Sequence, residues 1–311
     1  MDLKQIKFSL AVVINLLAAL TFGYFCFLGA NFYTLGDKGT SIAVAVIITL
    51  LLIGTSLGAK LLKQTKRNFK SRFIWEIVLL VLFSVLTASS TYYAFSHYFV
   101  VSAQKPTIQN KLNKNIAQAQ MIYPDYESYV KTRVGIYTSK IDVAILNGGG
   151  QPTELEKFGI SKNIPITIKK QGQIQIDKVN ELINPREFLK KIKNNDSTWL
   201  ANAKNSVENW EPISLVNVIN DIEKNTKNSL NQLVSLSIKQ GTNEKNYPPF
   251  DPDEINPNNV NNYFTTIGTP SPFSIVLAFF SYLLMLLSWF ITKRDSRSTG
   301  ALTTAEYEIV L

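Results

Sequence analysis

Cysteine and histidine are almost absent from this 311-residue chain. Cys26 is the only cysteine and falls inside an apolar segment, which excludes a disulfide-stabilised scaffold. His97 is the only histidine, and its neighbours Tyr93, Tyr98 and Phe99 favour packing at a membrane interface over metal binding. Nucleophile-elbow, HExxH and phosphate-loop motifs are missing as well. The sequence therefore predicts a protein that is not an enzyme, with no catalytic residue, no metal site and no cofactor.

Charged residues are scarce in four stretches that are each at least about as long as the 20 residues a helix needs to cross a bilayer. These stretches lie at about 8–28, 42–62, 73–101 and 273–291. They predict an integral membrane protein that is mainly α-helical. Three transmembrane helices fall in an N-terminal membrane domain, residues 1–101, and the fourth lies near the C-terminus.

The long segment between the third and fourth stretches, residues 102–272, is polar and rich in Asn and Lys. It predicts an extracytoplasmic domain that is mainly helical. Alternating apolar and polar residues over 164–168 and 173–176 predict a small β-hairpin within it. Pro124 is expected to divide its first long helical stretch in two, because proline removes a helix hydrogen bond. Residues 292–311 form a short tail.

The formal net charge of +9 is concentrated beside the apolar stretches. Lys4 and Lys7 precede the first stretch, six Lys or Arg lie within 60–72, and further cations follow the fourth stretch. The positive-inside rule places both termini, including 292–311, in the cytoplasm and residues 102–272 in the periplasm of a bacterial inner membrane. Because this excess reflects topology and forms no basic patch on a folded face, we predict no nucleic-acid partner.

An ionisable residue deep in a bilayer is the usual sign of a proton or ion path. None lies well inside the four stretches. Glu76 is close to the cytoplasmic end of the third, where it can form an interfacial charge pair with Arg72, four residues earlier on the same helix. The sequence therefore disfavours a transporter or channel.

Small and polar residues in the apolar stretches predict helix–helix packing. A GxxxG pair lets two backbones approach closely, a stripe of small hydroxyl residues offers a second face, and a buried amide needs a hydrogen-bonding partner. The predicted packing or interface residues are Asn15, Gly54, Gly58, Ser84, Thr87 and Thr91. The packing partner can be this chain, a second copy or another protein.

Two functions from different classes remain open, with a transporter or channel the least favoured third. The first is a non-enzymatic scaffold subunit of an envelope-spanning complex, whose partners are the lipid bilayer, other envelope proteins and, as a further option, copies of itself. The second is an extracytoplasmic sensor. Because 292–311 is too short to hold a kinase or cyclase, a sensor would have to signal through a partner.

The layout of three apolar helices, an Asn- and Lys-rich domain from Ser102 to Pro272 and a return helix at 273–291 resembles TssN-like inner-membrane components of type VI secretion envelope complexes. The resemblance covers layout and composition, so it assigns no role to any residue. It implies a structural part that helps to anchor a contractile injection apparatus.

Overall fold

The computed structural model describes residues 10–64, 69–147, 152–244, 247–252 and 259–294, and within these ranges the chain forms helices and no strand. The helices, in chain order, are α1 (Leu10–Tyr33), α2 (Lys38–Gln64), α3 (Phe69–Ser90), a π-helix (Thr91–Phe95), α4 (Ser96–Ala103), α5 (Lys105–Asn147), α6 (Pro152–Glu156), α7 (Ile168–Ile183), α8 (Arg186–Glu208), α9 (Pro212–Ser237), α10 (Asn261–Thr265), α11 (Pro272–Met285) and α12 (Leu287–Ile291).

The chain divides into two compact units. The membrane unit comprises residues up to 108 and from 261 onward, and the second unit comprises residues 109–260. Three helices of the membrane unit are long and apolar enough to cross a membrane, as predicted: α1 has 24 residues, α2 has 27, and the third runs for 33 residues from Ser71 to Ala103 through α3, the π-helix and α4. Over the predicted fourth stretch, residues 273–291, the chain forms α11, an apolar helix of 14 residues, followed after Leu286 by the short α12, and α11 is shorter than the three long helices.

Helix α1 lies at the centre of the membrane unit. It contacts α2, α4, the π-helix, α11 and α12, and a larger share of it is buried than of the other two spans. The ring of Phe22 stacks on that of Phe95 with their centroids 4.6 Å apart. The core around this stack consists of Ala18, Ala19, Phe22, Cys26, Leu52, Phe83, Phe95, Ala278, Met285 and Leu286. The lone thiol is therefore a core side chain.

The third membrane helix contains one widened turn. At Thr91–Phe95 the helix is of the π type, and the backbone N–H of Ser96 donates to the carbonyl of Thr91, five residues back. Such a turn inserts one extra residue into an α-helix and shifts the direction of the side chains that follow. Phe95, in this turn, is fully buried against α1.

The second unit is built from amphipathic helices. Helix α9 begins at Pro212, which suits the first helical turn because it needs no N–H partner there, and it packs against α8 and α7. Its buried face carries Leu215, Ile219 and Ile222, at the three- and four-residue spacing of one helical stripe. Helix α5 contributes buried residues such as Ile141, which lies beside Gly172 of α7.

The predicted β-hairpin is wrong. Residues 164–167 precede a helix, and 173–176 lie inside it, because α7 covers Ile168–Ile183. Gly172 is not a turn residue: a Cβ placed on it would lie 3.0 Å from side-chain atoms of Ile141 and Ile145, so its hydrogen lets α7 approach α5. Partly or fully buried residues recur at 168, 172, 176, 179 and 183, which is helical spacing and outweighs the short alternation.

The expected break at Pro124 is also absent, since α5 continues through it from Lys105 to Asn147. Proline costs this helix one hydrogen bond, but the buried stripe passes it without interruption. Ile122 and Tyr126, two positions either side of Pro124, are each 1 % exposed. Burial of this continuous face stabilises the helix by more than the lost bond destabilises it.

Candidate functional site

Asn15 forms a buried polar junction between three membrane helices. It lies on α1 with its side chain fully buried, and its Nδ2 donates to Ser56 Oγ on α2 at 3.3 Å and to Ser288 Oγ on α12 at 3.1 Å. An unpaired amide in a hydrocarbon environment costs several kcal/mol. These bonds therefore hold α1, α2 and α12 together, and the partners of Asn15 come from its own chain.

Glu76 sits in a second junction, at the start of the third span. Its side chain is 1 % exposed, and both carboxylate oxygens lie 2.8 Å from Nη2 of Arg294. The indole N–H of Trp289 also donates to Oε1, at 2.9 Å. We predicted Arg72 as the partner. In the described part of the chain the ion pair of Glu76 is instead with Arg294, and Arg294 and Trp289 together satisfy the buried carboxylate.

Basic and aromatic side chains complete this end of the membrane unit. Lys63, near the end of α2, donates from Nζ to the carbonyl oxygen of Trp289 at 2.8 Å, and the same nitrogen lies 4.1 Å from the indole centroid. The guanidinium of Arg294 lies 4.8 Å from the ring centroid of Phe73. The end of α2, the start of α3 and the end of α12 therefore meet through charge, hydrogen bonds and cation–π contacts.

The predicted hydroxyl stripe faces α11. Ser84, Thr87 and Thr91 line a groove of about 540 Å³ between the third span and α11. Ser84 Oγ lies 3.1 Å from the hydroxyl of Tyr282, and Thr87 donates to the carbonyl of Phe83 at 2.8 Å. The stripe is thus engaged in part by the chain's own C-terminal helix.

The predicted GxxxG pair does not form one packing face within the chain. A Cβ on Gly58 would lie 3.0 Å from Leu79 on α3, whereas a Cβ on Gly54 would meet nothing within 4 Å. Closer approaches occur at two glycines of α1 that no local pattern in the sequence marks. A Cβ on Gly23 would overlap Thr49 Oγ1 on α2, and one on Gly29 would overlap the carbonyl oxygen of Ala94 in the π-helix.

Replacing Gly29 and Gly54 by leucine, one at a time, tests these packing contacts directly. Gly29→Leu should destabilise the full chain by about 1–3 kcal/mol or more, because a backbone carbonyl cannot move aside as a side-chain tip can. Gly54→Leu adds the same atoms on the open face of α2 and should leave stability close to that of the natural chain. Thermal unfolding in mild detergent measures both, and equal losses would contradict the assigned contacts.

A buried ion pair organises the second unit. Arg133 on α5 is 1 % exposed, and its guanidinium holds the carboxylate of Glu244 through Nε–Oε1 and Nη2–Oε2 contacts of 2.6 and 2.9 Å. It also donates to the carbonyl oxygens of Ser237 and Lys239, and at 3.1 Å to the hydroxyl of Tyr129. Every one of these groups lies within 109–260, so the cluster fixes the chain after α9 onto α5.

The environment of this pair shifts the pKa of neighbouring groups. Burial by itself would lower the pKa of Arg133, but the hydrogen bonds to Glu244 and Tyr129 raise it overall. Burial, with a smaller contribution from the charge of Glu244, raises the pKa of Tyr137 to about 12. Both groups therefore keep their protons across the physiological pH range, as expected for a structural cluster rather than an acid–base site.

Two grooves follow α5 on the surface of the second unit. The α5–α6 groove has a volume of about 1480 Å³ and is lined by residues between Ser128 and Asn147 together with α6. The α5–α8 groove has a volume of about 680 Å³; buried Tyr126 and Val130 contribute to its floor, and cations on α8 stand at its edge. Grooves of this size along an uncovered helix are candidate binding surfaces.

Within the residues that the structure describes, no cluster of three or more His, Cys, Asp or Glu could hold a metal ion. His97 is buried, with Nε2 2.6 Å from the carbonyl oxygen of Phe264, and its ring packs edge-on against Tyr33. These contacts are those of a packing residue, and His97 packs inside the protein rather than at its surface.

Comparison with known proteins adds no relative. No protein-family model matches the chain, and neither a curated protein nor a solved structure matches it.

Proposed function

We propose that this protein is a non-enzymatic structural subunit of a bacterial envelope complex. In this role, a four-helix membrane anchor holds the second unit in the periplasm, where it binds partner proteins. The layout resemblance suggests the type VI secretion membrane complex as the particular assembly. The observation that carries the proposal is the uncovered face of α5, where Ile136 and Val143 are 42 % and 54 % exposed beside the α5–α6 groove.

The membrane unit supports an anchoring role. Its two buried polar junctions, at Asn15 and Glu76, are satisfied by side chains of the same chain. A transported ion or solute would need polar groups that remain open to it. A fixed anchor instead gains stability when such groups pair with one another.

The contacts of α11 and α12 support a fourth span. At one end Ser274 Oγ donates to Ser96 Oγ at 3.1 Å, and at the other Trp289 and Arg294 bind Glu76. Residues 76–96 of the third span therefore run beside 274–289 in the opposite direction. A helix of about 20 residues is about 30 Å long, which matches the hydrocarbon thickness. This pairing also brings the cations after α12 to the same side as those near Lys63.

The orientation is tested by cysteine labelling in a Cys26→Ala background, since Cys26 is fully buried. With both termini in the cytoplasm, Lys66→Cys and Ser298→Cys should be shielded from a membrane-impermeant thiol reagent in intact cells. Lys224→Cys, on the exposed side of α9, should react once the outer membrane is permeabilised. Labelling at position 66 before the inner membrane is broken would reverse the proposed topology.

The assembly itself is tested on the tagged full-length protein, extracted from its own membrane in mild detergent. We expect partner proteins at fixed stoichiometry, and we expect Ile136→Glu with Val143→Glu to release them. Leu182→Glu with Ile238→Glu is the matched control, because both residues are exposed apolar side chains of the second unit that line neither groove. A solitary chain that moves a solute across proteoliposomes would instead establish transport.

A further inference from the structure

The two grooves of the second unit are parts of one surface. Lys131 and Gly135 line both of them. Gly135 is exposed on α5, and a Cβ built on it would meet nothing within 4 Å. The missing side chain leaves a low point on the helix where the α5–α6 groove passes into the α5–α8 groove. We call this continuous surface the Gly135 saddle.

The Gly135 saddle carries uncompensated positive charge. Its two acids are both engaged, since Glu154 pairs with Lys157 and the carboxylate of Glu127 lies 3.7 Å from Lys193 Nζ. Four further cations have no ion pair within the described part of the chain: Lys131, Lys140, Arg186 and Lys190. A partner that brings carboxylates would complement them.

The same surface is also apolar. Ile136 and Val143 are exposed beside the α5–α6 groove, and Leu189 contributes to the α5–α8 groove next to Val130. Polar residues such as Ser139 alternate with these apolar positions along α5. A lipid chain would be suited to a uniformly apolar slot, whereas a polypeptide with mixed side chains suits this alternation.

We propose that the Gly135 saddle binds an acidic, amphipathic polypeptide segment of a partner protein. The inference rests on the proposed function, in which this unit binds partners, and adds the chemistry of the segment. Carboxylates would face Lys131, Arg186 and Lys190, and apolar side chains would contact Ile136 and Val143. From Lys131 to Asn147 α5 is about 24 Å long, which accommodates a helical segment of about 16 residues.

The test uses the full chain in a zwitterionic lipid nanodisc and a fluorescent designed peptide of about 18 residues, made of Glu and Leu in an amphipathic helical pattern. A Lys and Leu peptide with the same pattern is the reference probe. After subtraction of binding to empty nanodiscs, we expect saturable binding of the acidic peptide, weakened by salt, and no binding of the basic peptide. The affinity for the acidic peptide should fall roughly tenfold or more in the triple variant Lys131→Glu, Arg186→Glu and Lys190→Glu.

Two further variants separate the saddle from general electrostatics. Combined Lys178→Glu, Lys224→Glu and Lys227→Glu change the net charge by the same amount on exposed residues outside both grooves, and should leave affinity nearly unchanged. Gly135→Phe keeps every charge, adds a side chain whose Cβ has no neighbour within 4 Å, and should weaken binding by filling the low point. Unchanged melting temperatures establish that the variants are folded.

Several outcomes would overturn the inference. Equal losses in both charge-reversed triples would reduce the binding to net charge, and binding of phosphatidylglycerol vesicles without the peptide would make the surface a lipid site. The natural chain could fail to bind the acidic peptide while the Ile136→Glu and Val143→Glu variant still lost its partner proteins. That result would remove the inference and leave the proposed function intact. If the chain bound the acidic peptide but no partner protein were recovered with it from the membrane, the proposed function would fall and the peptide-binding surface would remain.

Discussion

Replacing Arg133 with Met should destabilise the second unit by about 3–5 kcal/mol, the largest effect expected from any single side chain in it. The substitution leaves Glu244, which is 4 % exposed, as an uncompensated buried charge, and removes the guanidinium hydrogen bonds to the carbonyl oxygens of Ser237 and Lys239. Hydrogen exchange of the full chain in detergent should then speed up in α5 and around Glu244. The membrane helices serve as the internal reference.

The double variant Arg133→Met with Glu244→Leu separates the pair from its burial cost. Because both charges are removed together, we expect most of the lost stability to return. Lys140→Met, on the same helix but exposed, is the matched control and should change the free energy of unfolding by less than about 0.5 kcal/mol. If the single Arg133 variant behaved like this control, the ion pair would not hold the chain after α9 in place.

Arg294→Ala should give the second large effect, a loss of about 3 kcal/mol in the membrane unit, because Glu76 would remain buried with only Trp289 as a partner. Thermal unfolding of the purified full chain in mild detergent measures it. The effect should be much smaller when Glu76→Gln is combined with it, since no buried charge then remains.

Arg72→Ala is the decisive comparison for this site. The residue is partly exposed, lies four residues before Glu76 on the same helix, and was the partner expected from spacing alone. Because Arg294 already binds both carboxylate oxygens, removing Arg72 should cost less than about 1 kcal/mol. A larger loss from Arg72→Ala than from Arg294→Ala would reverse the assignment.

The membrane helices were predictable because their signal is local. A run of apolar residues long enough to cross a bilayer needs no knowledge of its neighbours, and the predicted 8–28, 42–62 and 73–101 fall almost wholly within α1, α2 and the third span. The need of Asn15 for partners could be foreseen for the same reason, since an amide in an apolar helix must find a hydrogen bond somewhere. Its actual partners, Ser56 and Ser288, could not be foreseen from the sequence.

The partner of Glu76, the helix around Gly172 and the packing role of Gly29 could not be predicted, because each depends on contacts between distant parts of the chain. Arg294 is 218 residues from Glu76, so spacing along one helix could not reveal it. The segment around Gly172 alternates like a strand over a few residues, yet it lies in α7, where Gly172 packs against Ile141 and Ile145 of α5. Gly29 is one of several glycines in α1 and α2, and nothing local marks it as the one that meets a backbone.

The widened turn at Thr91–Phe95 gives the third membrane helix two angular phases. One extra residue rotates all later side chains about the helix axis by about 100° relative to a regular α-helix. The side-chain directions before the turn, as at Thr87, and after it, as at Val101, are therefore offset from each other. Deleting exposed Tyr93 would remove no buried side chain, yet it would swing Val101 off its present face. The length of this segment is therefore constrained by rotational register, independently of how apolar it is.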